Sequence, residues 1–147
     1  NARVPPPVVV ATIGVAMWAL DQKVQAGKFE SALQAPVAGV LLIAGLLLTF
    51  VAIASLIAAK TTVNPLSHRV HPAWVRPEYA ASPGIYLGHL LVLAALAVWL
   101  GNVFNVVLLF LFVWTINRFQ IIPEERALAN LFGESYVAYC ARIRRWL

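Results

Sequence analysis

Two long stretches of the chain carry no Asp, Glu, Lys or Arg: positions 31–59, 29 residues, and positions 79–117, 39 residues. Polar and charged residues are confined to the spaces between apolar blocks, which is the pattern of helices that meet lipid. The first apolar segment, about 5–20, opens on Pro5, Pro6 and Pro7. Prolines fit a first helical turn, because the amide hydrogens there have no partner within the helix. Asp21, Gln22 and Lys23 close it, and a polar connection runs on to Gln34. Pro36 opens a second helix over 36–59, long enough at about 1.5 Å per residue to cross a bilayer, and Lys60 closes it.

The third block is too long for one crossing. Thirty-nine residues of helix would measure about 58 Å against a hydrocarbon thickness of about 30 Å. Gly101 and Asn102, a helix-ending pair, lie near its centre, so the pattern predicts a tight helical hairpin with arms at 85–100 and 103–117. The expectation is therefore all-α: a polytopic membrane protein with four transmembrane helices, spans 3 and 4 forming the hairpin. It is read as a single domain over 1–147, with a loop over 60–84 and a helical tail over 118–147. In the tail, one short helix runs from Pro123 to Gly133. A second stretch repeats Tyr136, Tyr139, Cys140, Ile143 and Trp146 at helical spacing opposite Arg142 and Arg145, as an interfacial helix on anionic headgroups would.

Composition sharpens this picture. Of 147 residues 61% are hydrophobic and 12% charged, which excludes an ordinary soluble domain and intrinsic disorder alike. A single cysteine, Cys140, excludes a disulfide scaffold. The formal charge is +5, and an excess of Lys and Arg in such a chain marks the cytoplasmic side rather than a nucleic-acid site. Nine basic residues (Arg3, Lys60, Arg69, Arg76, Arg118, Arg126, Arg142, Arg144, Arg145) fall on one side of the four-span arrangement and Lys23 and Lys28 on the other. That imbalance puts both termini, and the tail, in the cytoplasm. The prolines near the start also argue against a cleaved signal peptide, so the first segment is expected to be retained.

Candidate chemistry gathers between 60–84 and the tail. Glu124 and Glu125 follow Pro123 closely. They either complement the positive end of a helix, worth about 0.3 to 1 kcal/mol each, or hold a cationic ligand at the membrane face. Arg118, at the end of the fourth span, either snorkels to the headgroups or presents its fork to a carboxylate. His89 lies inside the third span, where an imidazole needs a partner, whether ligand or neighbouring helix. Gly84 and Gly88 form a small-xxx-small pair suited to close helix packing. His68 and His71 lack a third metal ligand, and no metal site is expected. There is no dinucleotide glycine fingerprint, no phosphate-loop lysine motif and no serine nucleophile elbow.

The run Arg118-Phe-Gln-Ile-Ile-Pro-Glu124-Glu125-Arg126-Ala-Leu128, then Leu131-Phe132-Gly133-Glu134-Ser-Tyr136, Tyr139, Arg142, Arg145 and Trp146 resembles the tail signature of a known group. These are the integral membrane methyltransferases that include isoprenylcysteine carboxyl methyltransferase and phospholipid N-methyltransferase. Arg3-Val-Pro5-Pro6, Thr61-Thr62-Val63-Asn64-Pro65, Tyr86-Leu87-Gly88 and Gly101-Asn102 are similar to bacterial members. The resemblance implies S-adenosylmethionine as cofactor and methyl transfer to a lipid-like or isoprenoid acceptor, a carboxylate favoured, at the cytoplasmic face of a bacterial inner membrane. It implies catalytic roles for Arg118 and Glu125 and cofactor contacts from Tyr86, Gly88, His89, Glu124 and Glu125.

One segment departs from the family pattern. Ala81 and Ser82 stand where relatives have Arg and His or Asn before Pro83, and Tyr86 follows that proline by three positions instead of two. Two alternatives therefore stand beside the leading one: a non-catalytic helical membrane protein of the same fold, and a phospholipid amine N-methyltransferase. A nicotinamide-dependent lipid reductase is a further class, for which the chain is short.

Overall fold

The computed structural model describes residues 5–61 and 76–140, mostly helix, with short connections and one isolated bridge. Helices α1 (Pro6–Lys23), α2 (Gln34–Thr61), α3 (Arg76–Leu100) and α4 (Asn105–Ile116) form the body. A π-helical turn (Asn117–Ile121) joins α4 to α5 (Ile122–Phe132), and α6 (Glu134–Cys140) follows. Pro6 and Pro7 sit in the opening turn of α1, as the missing amide hydrogens allow.

The helical class is as expected, but the four-span expectation is not met. Among the described residues one helix, Gln34–Ala58, is long and apolar enough to cross a membrane. The 18 residues of α1 include Asp21, Gln22 and Lys23, which cut its apolar stretch short. The apolar helices Gly84–Leu100 and Asn105–Ile121 are shorter than a span. The 12 residues of α4 rise about 18 Å against about 30 Å of hydrocarbon. A charge-free block of 39 residues reads as two crossings, yet its described apolar helices, Gly84–Leu100 and Asn105–Ile121, are each too short for one. Helix α3 also starts at Arg76, inside the stretch read as loop 60–84.

Helix α3 is the centre of the packing. On one side it runs antiparallel to α2: Gln34 meets Trp99, Gly45 meets Gly88 and Ala52 meets Gly84, the numbers rising on one helix as they fall on the other. Small residues make this approach close. A Cβ built at Gly45 would lie 2.7 Å from the Gly88 carbonyl oxygen, and one at Gly88 would lie 2.8 Å from that of Gly45. On its other side α3 supplies Tyr86, Leu93 and Ala97 to a core shared with Ile13 and Met17 of α1, Phe112 and Ile116 of α4, and Ile121 of the π turn. Tyr86, Leu93 and Ala97 are spaced by seven and four, one face of a helix.

The end of the bundle where α1 passes to α2 and α3 to α4 is fastened by backbone bonds. Phe29 N–H donates to the Gly101 carbonyl at 2.7 Å, and Val103 N–H to that of Gly27 at 3.0 Å. Asn102, 1% exposed, donates from Nδ2 to the Val24 carbonyl at 2.7 Å and accepts from Phe104 N–H at 3.1 Å. Gly101 has φ +64°, a left-handed conformation that a side chain opposes. Lys28 Nζ lies 3.3 Å from Oδ2 of the buried Asp21.

Candidate functional site

The π turn decides how the tail leaves the bundle. Pro123 has no amide hydrogen, and its ring would collide with the carbonyl of Phe119 in a regular α-helix. Widening the preceding turn relieves that conflict: Ile122 N–H bonds the Asn117 carbonyl, five residues back, and the helical path continues into α5 without a break. Helix α5 is thus continuous with α4. Gly133, at φ +56°, ends α5.

This turn carries Gln120 to Tyr86 of α3. Tyr86, 4% exposed, donates its hydroxyl to Gln120 Oε1 at 3.4 Å. Ile121 is buried in the same core, whereas Arg118 and Phe119 face outward. Phe119 meets Trp114 edge to face, ring centres 6.0 Å apart, and both rings are exposed. Two buried polar atoms of this region, Asn117 Oδ1 and His89 Nδ1, have no hydrogen-bond partner among the described residues.

The six expected site residues separate into groups. Tyr86 joins the π turn directly. Gly88, two residues on and therefore about 200° around the helix, faces α2 instead, where it admits Thr49 and the Gly45 backbone. Its surroundings are those of close helix packing. His89 is half-buried one position further. Arg118 lies on the exposed side of the π turn, and Glu125 is half-buried in the first turn of α5. Glu124 belongs to the backbone of α5; its side chain, the segment 62–75 with His68 and His71, and positions 141–147 lie outside the described residues. Gln120 was not singled out from the sequence, although an amide between Phe119 and Ile121 is the one uncharged polar group in an apolar run. Among the described residues no group of three His, Cys, Asp or Glu is arranged to hold a metal ion.

A chain-wide feature bears on what surrounds the site. Large apolar side chains are exposed all along α2, among them Val40 at 68%, Leu47 at 59% and Phe50 at 71%, and along α4, where Phe110 is 72% exposed. A surface of this kind needs an apolar neighbour.

No family model and no solved structure matches the chain. It is similar to a protein of Haemophilus influenzae described as uncharacterized, 43% identical over 63 residues, which span all of that protein and 43% of this chain.

Proposed function

The chain belongs to the same family as that Haemophilus influenzae protein, and we propose that it is a membrane-bound methyltransferase that uses S-adenosylmethionine and acts on a lipid-like acceptor. The single observation behind this reading is the meeting of Tyr86 with Gln120 in the π turn that bears Arg118 and leads directly into the helix of Glu124 and Glu125. One helix long and apolar enough to cross a membrane, Gln34–Ala58, with its exposed apolar face, supports attachment to a bilayer.

The groups present suit the cofactor. A half-buried carboxylate, Glu125, can accept from an ammonium or a ribose hydroxyl, and the Arg118 guanidinium can take a carboxylate in its fork. Asn117 Oδ1 and His89 Nδ1, buried without partners among the described residues, offer positions where a heterocycle would satisfy them. When bound, S-adenosylmethionine supplies a methyl group on sulfonium that passes in line to a nucleophile. The chain's own task is to align the reactants and exclude water, which orientation achieves with few reactive side chains. Tyr86 and Gln120 fix the wall between α3 and the π turn, and the apolar core around them keeps water out. A carboxylate acceptor arrives ionised and needs no base, whereas a protonated amine must first lose a proton.

Calorimetric titration of the purified chain with S-adenosylhomocysteine tests the proposal. Binding is expected, with Arg118→Gln and Glu125→Gln each weakening it by about tenfold, the worth of one charge-assisted hydrogen bond. No heat together with an unchanged melting temperature refutes it. Labelled methyl groups transferred to a lipid extract then identify the acceptor: a methyl ester releases methanol in base, and an N-methyl group does not.

A further inference from the structure

At the end of the bundle remote from Tyr86 a cleft of about 570 Å³ opens between the α1–α2 connection and the close of α3. Lys28, Phe29, Glu30, Ser31, Gln34 and Trp99 line it. We propose that this cleft binds the headgroup of a zwitterionic aminophospholipid, phosphate on Lys28 and ammonium on Glu30. The proposal rests on the reading that α2 lies in a membrane and not on methyl transfer. Thirteen residues of helix, about 20 Å, separate Trp99 from Tyr86, so this lipid is distinct from the methyl acceptor.

The cleft is prebuilt. Its backbone is locked by Phe29 N–H to the Gly101 carbonyl, and its far wall by Gln34 Nε2 to the Trp99 carbonyl at 2.8 Å. Hydrogen-bonding capacity is left over inside it. Asp21 engages Lys28 Nζ from one side, and the Lys28 side chain is still 39% exposed, so an ammonium with three donors has hydrogens to give a phosphate. Ser31 Oγ accepts from Leu33 N–H at 3.3 Å, which leaves its own proton to donate. Glu30 is exposed at the rim.

Charge selects the headgroup. The lining carries one cation, Lys28, and one anion, Glu30, while Asp21 pairs with Lys28 from outside the lining, a set that matches a headgroup bringing an ammonium beside its phosphate better than a purely anionic one. Continuity selects a lipid over a free phosphoamine. Trp99, 62% exposed, and Phe29, 44% exposed, lead from the cleft to Leu33 at 69%, in the turn before α2, and Val37 at 44% on the outer face of α2, a track for an acyl chain. An indole at this level also suits the membrane interface.

The test is thermal unfolding of the full chain in mild detergent, titrated with phosphatidylethanolamine, phosphatidylglycerol or soluble glycerophosphoethanolamine, beside flotation with vesicles. Phosphatidylethanolamine should stabilise the protein at about tenfold lower concentration than phosphatidylglycerol, and the soluble headgroup should have no effect at matching concentration. Glu30→Gln should abolish that preference, and Lys28→Ala should weaken stabilisation by both lipids. Lys28→Ala also breaks the pair with Asp21, so the exposed Glu30→Gln is the decisive variant if the former does not fold. Equal stabilisation by the two lipids, or an unchanged preference in Glu30→Gln, overturns the proposal while flotation keeps the membrane reading intact. Failure to float with vesicles overturns both. Stabilisation by the soluble headgroup alone overturns the lipid assignment.

Discussion

Replacing Gly88 with Ala puts a methyl group between two helices whose backbones already touch. The added Cβ would stand 2.8 Å from the Gly45 carbonyl oxygen and 3.0 Å from Thr49 N, with Thr49 Oγ1 closer still. Ordinary contact of a carbon atom begins at about 3.5 Å, so α2 and α3 must part by roughly 0.5 Å or more. A gap of that size forfeits about a quarter of the dispersion attraction of each contact near it. Overpacking of this kind costs about 1 to 3 kcal/mol, and the upper half applies here because two of the three neighbours are backbone and cannot rotate away. Alanine returns about 0.5 to 1 kcal/mol through its better helix propensity. The net loss is about 1 to 2.5 kcal/mol, a fall in melting temperature of about 3 to 9 °C for a chain of this size. The control is Gly39→Ala on the same helix as Gly45, where an added Cβ meets nothing within 4 Å. There only the propensity gain remains, and the melting temperature should rise by about 1 to 3 °C. Helical circular dichroism followed through thermal unfolding in one detergent measures both. If Gly88→Ala melts at or above the parent, or shifts as Gly39→Ala does, the close approach of α2 and α3 is wrong.

The double variant Gly45→Ala, Gly88→Ala should lose less than the sum of its single changes, since helices already parted for one methyl group accept the second more readily; melting temperatures of the four proteins give the coupling. Gly101→Ala should lower stability by at least about 1 kcal/mol, because φ +64° is strained for alanine and its Cβ would lie 2.5 Å from the Phe29 carbonyl oxygen, and the same melts measure it. Tyr86→Phe deletes the 3.4 Å hydrogen bond to Gln120, so stability should fall by about 0.5 to 1.5 kcal/mol while S-adenosylhomocysteine affinity, read by calorimetry, falls with it. Asn102→Ala leaves the Val24 carbonyl and Phe104 N–H without their side-chain partner in a buried turn and should cost about 1 to 3 kcal/mol by denaturant titration.

The helices were legible because their signals are local. Prolines 5 to 7, the polar close at Asp21 to Lys23, the pair Gly101-Asn102 and the stop at Gly133 each act within one turn, and each stands at an element boundary of the fold. Span number was not legible from the same signals. Absence of charge records only that a segment avoids water, whereas a crossing also needs length, and the described apolar helices on either side of Gly101 are too short for one. The fastening of the two connections was hidden for a different reason. Asn102 holds Val24 from 78 positions away, and nothing periodic in either segment encodes the pairing.

The candidate site shows where a signature read along the chain parts from a surface read in space. Tyr86 and Gly88 stand together in the tripeptide that resembles the methyltransferases, but a helix turns about 100° per residue, and two steps carry them to opposite flanks of α3. Tyr86 therefore reaches the π turn and Gly88 reaches α2. The same geometry works the other way in the tail. Counting by 3.6 residues from Asn105 would assign faces to Arg118, Gln120 and Glu125, but the π turn inserts extra arc at Asn117–Ile121 and rotates everything beyond it. Pro123 was the available clue, since a helix that continues through a proline must open the turn before it. The π turn thereby aims Gln120 at Tyr86 and leaves Arg118 outward. A substitution that restores the amide hydrogen, Pro123→Ala, should let the regular helix compete and rotate α5, with Glu125, relative to α3, weakening ligand binding without loss of helix content.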